Sequence, residues 1–323
     1  EPVETSVLRK IALFCNVKED CVIENRTLPV LYECPIMLEK AGLAKIVLRE
    51  LCLDERPCDL TEWEAMLNRV HSCERTIHIA LVGKYVRLHD SYLSVAALSH
   101  GGWENRVKVK IDWVDSEELN DQNAAERLKE ADGVIVPGGF GIRGIEGMIE
   151  AARYARETGV PYFGICLGMQ IAAIEFARHV LGYEDAHSSE FDPESAHPVI
   201  DLMPDQQGNV PKGGTMRLGA YPCVTGAETR LREIYGEDRI YERHRHRYEF
   251  NNAYRQEYRD HGMVFSGLSP DGRLCEAMEL HDHPFYVGVQ YHPEFKSRPN
   301  KAHPLFRTFI QAAAKRGETY EDQ

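Results

Sequence analysis

The chain has 323 residues, of which 43% are hydrophobic and 28% charged, as in a soluble globular protein with a sizeable core. Its net charge of −13 disfavours a nucleic-acid backbone or an anionic membrane surface as a partner. No apolar run reaches the roughly 18 residues of a membrane-spanning helix, and the nine cysteines have neither CxxC spacing nor a zinc-ligand pattern. We therefore expect a cytoplasmic protein without a disulfide framework or a metal site. Because the chain starts with Glu1 instead of Met, we expect it to be a fragment.

The first 54 residues differ in character from the rest of the chain. They contain a strand-like run, IALFCNV, and a helix-like run, PIMLEKAGLAKIVLREL, which together are too little for a core of their own. Residues 55–75 are interpreted as a charged connector that carries one amphipathic helix.

A regular alternation of strand-like and helix-like segments begins near residue 76. The strands are TIHIALVGKYV, VKVKIDWV, GVIVPGG and VPYFGIC, and the helices that follow them are SYLSVAALSHGG, EELNDQNAAERLKEA, EGMIEAARYARETG and LGMQIAAIEFARHVLG. Segments of these types and lengths predict an α/β fold with an open, mostly parallel, doubly wound sheet and flanking helices.

The alternation stops near residue 183, although we assign residues 76–317 to one domain. Residues 183–212 form a long loop rich in Pro, Asp and Gly, which makes it a candidate lid. Later segments include strand-like ERHRHRYEF, the run FSGLSPDGRLCEAMEL with its PDG turn, strand-like YVGVQYHPE and a final helix, HPLFRTFIQAAAKRG. Residues 318–323 are expected to form a frayed tail.

The segment GICLG places Cys166 between two glycines at a strand-to-helix junction. A nucleophile on such a tight, strained turn needs small neighbours, and the N-terminus of the following helix favours a thiolate. The junction lies at the carboxyl end of a parallel strand, where open α/β sheets place their sites. We predict that Cys166 is a catalytic nucleophile and interpret the other cysteines as structural.

A nucleophilic cysteine needs a base, and the base needs a group that orients it. His292 and Glu294 are two residues apart at the end of a strand-like run, so their side chains can leave the same face. His292 can take the thiol proton and return it to a leaving amine, while Glu294 fixes the imidazole tautomer. We expect a triad of Cys166, His292 and Glu294.

The glycine-rich run VPGGFGIRG connects a predicted strand to a helix. Its amides near Gly139, together with the amide of Leu167, are suitable donors for an oxyanion. A phosphate-binding loop is an alternative interpretation, but the run lacks the Walker lysine and hydroxyl residue and does not follow the first strand.

Alternation along ERHRHRYEF puts Arg243, Arg245 and Arg247 on one face of the predicted strand and His244 and His246 on the other. The arginine face is interpreted as a basic edge. Two alternating histidines allow a metal site, but such a pair more often packs or forms hydrogen bonds, so we assign no metal ligand.

Together, PGGFG, GICLGMQ and YHPE resemble class I, or triad, glutamine amidotransferase domains, and longer runs resemble the CTP synthase family in particular. These longer runs are RKIALFCNV, LVGKY, GGFGIRGIEGM, SSEFDP, GGTMRLG, ERHRHRYEFN and QYHPEFKSRP. The resemblance covers nearly the whole chain. It does not include the family's N-terminal synthetase domain, of which residues 1–54 resemble only the last segment.

The resemblance implies a glutaminase reaction that needs no cofactor. Cys166 attacks the side-chain amide of L-glutamine, His292 protonates the departing ammonia, and a γ-glutamyl thioester is hydrolysed to glutamate. In the family's intact enzyme the ammonia passes to the synthetase domain, the expected partner, which uses ATP and Mg²⁺ to convert UTP to CTP. GTP is the implied allosteric activator.

Several site residues are implied by position in the family's motifs. The implied substrate-binding residues are Gly139, Leu167, Gly168, Met169, Gln170, Glu190 and Arg247. Glu190 would hold the amino group of glutamine, and the carboxylate of a free amino acid needs donors such as arginine.

The implied effector residues are Phe140, which would stack on guanine, with Lys84 and Arg217. Leu93 stands where many family members carry a lysine, which departs from the family's pattern at this site. Lys10 matches a lysine that serves the nucleotide site of the synthetase domain and is interpreted as a remnant of that site.

Two other classes of function remain open at this stage. A cysteine hydrolase that acts on peptides or γ-glutamyl compounds would need an open groove, whereas Glu190 and Arg247 suit a free amino acid. A non-enzymatic scaffold that only assembles or regulates conflicts with an intact Cys166 and its two partners. Ammonia release from glutamine, compared with hydrolysis of γ-glutamyl peptides, separates these functions.

Overall fold

The computed structural model describes residues 2–202 and 216–321, with side chains up to residue 317. The chain divides into two compact units, Glu1–Ser72 and Cys73–Gln323, so the division falls within the segment that we interpreted as a connector. Residues 203–212 of the candidate lid lie outside the described residues. In the described part of the chain, no helix has the length and apolar character needed to cross a membrane.

The first unit is helical where the structure describes it. Its helices are α1 (Thr5–Cys15), α2 (Cys34–Lys40), α3 (Leu43–Glu50) and α4 (Thr61–His71), with 3-10 turns at Glu19–Cys21 and Leu31–Glu33. The strand predicted over IALFCNV is wrong, because this run belongs to α1. A short apolar run does not distinguish a strand from a helix by itself, and Asn16 ends α1 in the left-handed conformation with φ 51°.

The run PIMLEKAGLAKIVLREL forms two helices instead of one continuous helix. Gly42 separates α2 from α3 with φ +84°, a conformation that favours glycine. The predicted amphipathic helix of residues 55–75 is α4, and its Trp63 indole N–H donates to the carbonyl oxygen of Tyr32 at 2.7 Å. The helix therefore packs within the first unit.

The second unit combines strands and helices. Its strands are β1 (Arg75–Gly83), β2 (Val107–Asp115), β3 (Gly133–Val136), β4 (Tyr162–Ile165), β5 (His187–Ser188), β6 (Pro198–Asp201), β7 (Arg217–Thr225), β8 (Arg239–His246), β9 (Glu249–Phe250), β10 (Met263–Leu268), β11 (Cys275–Leu280) and β12 (Tyr286–Val289). Its helices are α5 (Leu93–Ala96), α6 (Ser99–Glu104), α7 (Ala124–Leu128), α8 (Ile145–Thr158), α9 (Leu167–His179), α10 (Arg230–Tyr235), α11 (Arg255–Asp260) and α12 (Pro304–Glu321).

The main sheet joins a parallel half to an antiparallel half. Within the described residues its order is β2-β1-β3-β4-β12-β11-β10-β7-β8. The pairings from β2 to β12 are parallel, and those from β12 to β8 are antiparallel. A small separate sheet has the order β5-β6-β9. This architecture confirms the predicted α/β class with an open sheet.

The central strands of the main sheet are covered on both faces, as in a doubly wound fold. On β1, Ile79 and Leu81 join one buried cluster with residues of α12, whereas Ala80 and Val82 join the other with residues of α8 and α9. This alternation follows from the period of two in a strand. The loops at the carboxyl ends of these central strands are therefore carried by strands that are buried on both faces.

The antiparallel half and the shorter helices were predicted least well. The helix predicted over EELNDQNAAERLKEA is reduced to α7, and that over SYLSVAALSHGG is divided between a 3-10 turn, α5 and α6. The last helix reaches Glu321, beyond the residue where we ended the domain. Short helices depend on tertiary packing more than on helix propensity, which explains why their bounds could not be predicted from the sequence.

Helix α9 packs on the sheet backbone to backbone at two glycines. A Cβ on Gly168 would lie far inside contact distance of the Val136 carbonyl oxygen, and a Cβ on Gly164 would lie 2.5 Å from the carbonyl carbon of Gly168. The Tyr162 hydroxyl donates to the Gly168 carbonyl oxygen at 2.8 Å. The start of α9 thus lies so close to β3 and β4 that no methyl group fits between their backbones.

We expect Gly168→Ala to lower the free energy of unfolding by about 2–3 kcal/mol, because the new methyl group must displace strand backbone. The measurement is urea unfolding followed by circular dichroism. The matched control is Gly159→Ala, where φ is +70° but a Cβ would meet nothing within 4 Å, so only conformational strain of about 1 kcal/mol is expected. Equal losses in the two variants would contradict the backbone packing.

Candidate active site

Cys166 occupies the sharp turn between β4 and α9. Its φ of 52° and ψ of −98° place a residue with a Cβ in a sparsely populated conformation, which costs about 1–3 kcal/mol. The turn is held because the Cys166 N–H donates to the Val289 carbonyl oxygen at 2.7 Å. The amides of Leu167 and Gly168 lie in the first helical turn, where N–H groups have no intrahelical acceptor. They are therefore positioned as donors for an oxyanion at Cys166.

His292 and Glu294 follow β12 and contact each other directly. The distance between His292 Nδ1 and Glu294 Oε1 is 2.7 Å, and both side chains are buried. The His292 N–H donates to the Arg243 carbonyl oxygen at 2.8 Å, and Phe295 stacks on the imidazole with ring centroids 5.1 Å apart. The other ring nitrogen, Nε2, has no hydrogen-bond partner among the described residues, so it is the atom available for proton transfer.

Gly138 marks the place where the imidazole meets the cysteine. A Cβ built on Gly138 would lie 3.0 Å from His292 Cε1 and 3.7 Å from Cys166 Cβ. Burial lowers the pKa of His292, but the Cys166 sulfur and the Glu294 carboxylate raise it to about 10. The structure brings the three predicted triad residues together in a setting that favours the imidazolium form of His292.

The glycine-rich loop after β3 is anchored by a buried lysine. Lys84 Nζ donates to the carbonyl oxygens of Phe140 at 3.1 Å and Gly141 at 2.5 Å. Burial is the main cause that lowers the pKa of Lys84 to about 8. A Cβ on Gly139 would lie 3.3 Å from Leu167 Cδ2, so the loop lies against the start of α9. Lys84, which we predicted as an effector residue, is 3% exposed and holds this loop.

Glu190 lies beside two cationic side chains. Burial raises its pKa, whereas the charges of Lys84 and Arg247 lower it. Gln170 Nε2 donates to the carbonyl oxygen of Tyr248 at 3.1 Å, next to Arg247 in the chain. Charge interactions thus connect Glu190 with Lys84 and Arg247, and a hydrogen bond connects Gln170 with the residue that follows Arg247.

A cavity of about 390 Å³ opens over the triad. Cys166, His292 and Glu294 line it together with residues 137–140. The Met169 side chain, by contrast, is buried in the core between α9 and the sheet, so any contact of this residue with a substrate would use its backbone. The cavity is large enough for an amino acid and presents the sulfur, the base and the loop amides together.

Arg217 and the two histidines of β8 form a buried ionic network on the antiparallel half. Arg217 Nη2 donates to Glu276 Oε1 at 2.8 Å, and its Nη1 donates to Glu249 Oε1 at 3.1 Å. His246 Nε2 lies 2.8 Å from Glu249 Oε1, and His244 Nε2 lies 3.5 Å from Glu276 Oε2. Arg217, predicted as an effector residue, is engaged with these carboxylates. Across the described residues, no cluster of three or more His, Cys, Asp or Glu side chains could hold a metal ion.

The remaining predicted effector residue is exposed. The Phe140 ring is 49% exposed, and the Arg245 guanidinium lies 5.7 Å from its centroid. Leu93 is 69% exposed on α5, and Lys10 is exposed on α1 in the first unit. Residues 213–215 of the GGTMRLG run lie outside the described residues.

Gln290 was missed by the sequence analysis. Its side chain is fully buried, and its Nε2 donates to Cys166 Sγ at 3.6 Å. The signal that could have found it is a large polar residue within an otherwise apolar strand, directly before the YHPE run, since glutamine is rarely buried without a partner.

Two family models match the chain. "Glutamine amidotransferase class-I" matches residues 87–312, and "CTP synthase N-terminus" matches residues 1–53. The first match contains the triad and the loop after β3. The second lies within the first unit.

The chain is similar to curated CTP synthases over nearly its whole length. It is 57% identical over 313 residues to that of Rubrobacter xylanophilus, covering 96% of this chain and 57% of the relative. It is 55% identical over 312 residues to that of Clostridium kluyveri, covering 96% of this chain and 58% of the relative. The chain therefore spans less than two thirds of the length of these relatives.

A solved structure is similar to about three quarters of the chain. The glutaminase domain of Trypanosoma brucei CTPS with bound acivicin matches with a TM-score of 0.70 and 41% sequence identity. The match covers 74% of this chain and 94% of that chain.

We expect Cys166→Ala to lower the pKa of His292 by at least about one unit. The sulfur is one of the two partners that raise this pKa to about 10, and its loss leaves burial, which lowers the pKa, opposed by Glu294 alone. The measurement is an NMR titration of the imidazole Cε1–H signal. Cys223→Ala, which removes a buried cysteine elsewhere, should leave the midpoint unchanged. An unchanged midpoint in Cys166→Ala would show that the sulfur and the imidazole are not coupled.

Proposed function

This chain belongs to the class-I glutamine amidotransferase family and, within it, to CTP synthase, and on that premise we propose that the Cys73–Gln323 unit hydrolyses L-glutamine to glutamate and ammonia. The observation that carries the proposal is the pairing of Cys166 with the buried His292–Glu294 couple beside a cavity lined by loop amides.

In the first half of the proposed reaction, the Cys166 S–H bond breaks and its proton moves to His292 Nε2. The sulfur then forms a bond to the γ-carboxamide carbon of glutamine, and the carbonyl oxygen becomes negatively charged. When the oxyanion collapses, the carbon–nitrogen bond breaks and ammonia leaves with the proton from His292. Glu294, which accepts from Nδ1 at 2.7 Å, keeps the imidazole in the tautomer that this transfer requires.

In the second half, water attacks the γ-glutamyl thioester and gives a proton to His292. The carbon–sulfur bond breaks, glutamate leaves, and the proton returns to the sulfur. In both halves the oxyanion is held by backbone amides near Gly139 and at Leu167. A Cβ on Gly139 would lie 3.3 Å from Leu167 Cδ2, so these two donor segments lie side by side, as an oxyanion site requires.

Selection for a free amino acid would come from the charges beyond the nucleophile. Glu190 would pair with the α-ammonium group of glutamine, and Arg247 would donate to its α-carboxylate. The two side chains interact electrostatically already in this structure. A peptide carries neither free group at an internal residue, so this pair favours glutamine over a peptide substrate.

We further propose that the ammonia serves a synthetase domain of the same enzyme, where ATP and Mg²⁺ support the amination of UTP to CTP. Residues 1–53 match the CTP synthase N-terminus model, which supports this partner. The glutaminase chemistry itself uses only side chains and backbone amides and requires no cofactor. A cytoplasmic location fits these substrates.

GTP is the proposed activator, and Phe140 is its proposed contact. The ring is half exposed at the cavity and lies under Arg245, an arrangement that can stack on a purine. Lys84 and Arg217 support the protein's own loop and ionic network instead. The proposal therefore places the effector near the mouth of the glutamine cavity.

We expect Cys166→Ala to reduce ammonia release from glutamine at least about a thousandfold, because no other group can form the thioester. The assay measures ammonia with and without GTP, and γ-glutamyl peptides are tested in parallel. Cys223→Ala is the matched control, since burial strongly raises the pKa of that thiol and leaves it unreactive. Full ammonia release by Cys166→Ala, or faster hydrolysis of the peptides than of glutamine, would contradict the proposed function.

We expect Glu190→Gln to raise the KM for glutamine about 10- to 100-fold, because the substrate ammonium loses its charged partner. The kcat should change about threefold or less, since the carboxylate does not contact the reacting amide. Steady-state kinetics measure both values. Glu194→Gln, which neutralises an exposed carboxylate on the same loop, should leave both unchanged. A loss confined to kcat would show that Glu190 does not bind the substrate.

A further inference from the structure

Gln290 is the first residue after β12, and the backbone fixes its position beside the nucleophile. Strand β12 pairs in parallel with β4, with Val289 opposite Ile165, so the residues that follow these partners are neighbours. The Gln290 N–H donates to the Glu276 carbonyl oxygen at 2.9 Å. The residue has no exposed surface, so its side-chain amide must find partners within the protein.

The orientation of the Gln290 amide follows from its neighbours. Gln170 Nε2 donates to the Tyr248 carbonyl oxygen at 3.1 Å and to Gln290 Oε1 at 3.3 Å. A backbone carbonyl can only accept, so the Gln170 nitrogen must be the donor of this pair. The oxygen of Gln290 therefore points to Gln170, and its nitrogen points to Cys166 Sγ at 3.6 Å.

We propose that Gln290 is a further catalytic residue, whose side-chain N–H stabilises the Cys166 thiolate. This inference rests on the proposed glutaminase function and adds a donor to it. A thiol sulfur is a weak acceptor, whereas a thiolate carries a full negative charge, so the same N–H bond is stronger in the ionised state. A buried donor of this kind favours ionisation of the thiol because it forms a hydrogen bond with the charged form.

The donor acts at two points of the reaction. When the S–H bond breaks and the proton moves to His292, the electron pair stays on the sulfur and faces the Gln290 N–H. When water has attacked the thioester and the carbon–sulfur bond breaks, the pair returns to the sulfur and faces the same N–H. A thioester sulfur carries no negative charge, so between these points the bond weakens and costs the intermediate little.

The same chain of amides connects the nucleophile to the substrate site. Gln170 is an implied substrate contact, and it holds the oxygen of Gln290. The Gln170 side chain, which would contact a bound glutamine, therefore also holds Gln290 in the orientation that places its N–H at the sulfur. Pre-organised donors of this kind lower a barrier because they need not reorient during the reaction.

The test measures the pH dependence of Cys166 alkylation by iodoacetamide, which reacts with the thiolate. Mass spectrometry of the Cys166 peptide is the readout, because Cys15, Cys52 and Cys58 are also exposed to the reagent. Gln290→Met removes the donor at similar length, and we expect the alkylation midpoint to rise by about one pH unit. Gln290→Glu replaces the donor with a carboxylate, and we expect a rise of about two units.

Gln311→Glu is the matched control, because it adds the same charge at an exposed position and should leave the midpoint unchanged. A folded Gln290→Met protein with the wild-type midpoint would overturn the proposal, since removal of a donor that stabilises the thiolate must raise the midpoint. Should Gln290→Met not fold, Gln290→Leu, which removes the same donor without adding a charge, decides in the same way. Alkylation needs no turnover of glutamine, so absence of ammonia release from the wild type would reject the proposed function without affecting this test.

Discussion

The strained turn at Cys166 is the constraint on which the rest of the site depends. A residue with a Cβ at φ 52° stays there only if its surroundings determine its conformation. The carbonyl of Val289 holds its N–H, and the glycine contact between α9 and Val136 fixes the helix that follows. Because β3, β4 and β12 run parallel, the segments that follow them meet at one edge, which is how the glycine-rich loop, Cys166 and His292 come together.

The antiparallel half of the sheet supports the base instead of supplying a second site. The N–H of His292 donates to the carbonyl of Arg243 on β8, so the position of the imidazole depends on the β7–β8 ribbon. Arg217 on β7 pairs with Glu276 on β11, whose pKa burial raises to about 7 against the lowering effect of that arginine. Removal of one partner from such a buried pair leaves an uncompensated charge, which is strongly destabilising. Arg217 therefore supports this ribbon through its pairs with Glu276 and Glu249, and its role as an effector contact stays a prediction.

The sequence was most informative where a local backbone requirement leaves a local signature. The glycines around Cys166 and the spacing of His292 and Glu294 could be interpreted from a few residues, because the turn and the strand end determine them directly. The contacts of Lys84 and Gln290 could not be predicted in this way, since their partners lie 56 and 124 residues away in the chain. For α1, a short apolar run suited both a strand and a helix, and only the packed structure distinguishes them. The residues of a motif are thus close together in the sequence, whereas the residues that hold the motif in place are distant from it in the sequence.

The loop after β3 shows how closely the oxyanion site and the amino-acid site are connected. Lys84 donates to the carbonyl oxygen of Gly141. The backbone N–H of Gly141 in turn forms a hydrogen bond with Glu190, which lowers the pKa of Glu190. Burial lowers the pKa of Lys84 and raises that of Glu190, so each group alone would tend to lose its charge, and each charge helps to retain the other. One loop residue, Gly141, therefore contacts both Lys84 and Glu190, two groups whose charges interact. A glutaminase site needs its oxyanion donors fixed relative to the substrate's charged end, and this shared residue provides that fixed relation through the backbone.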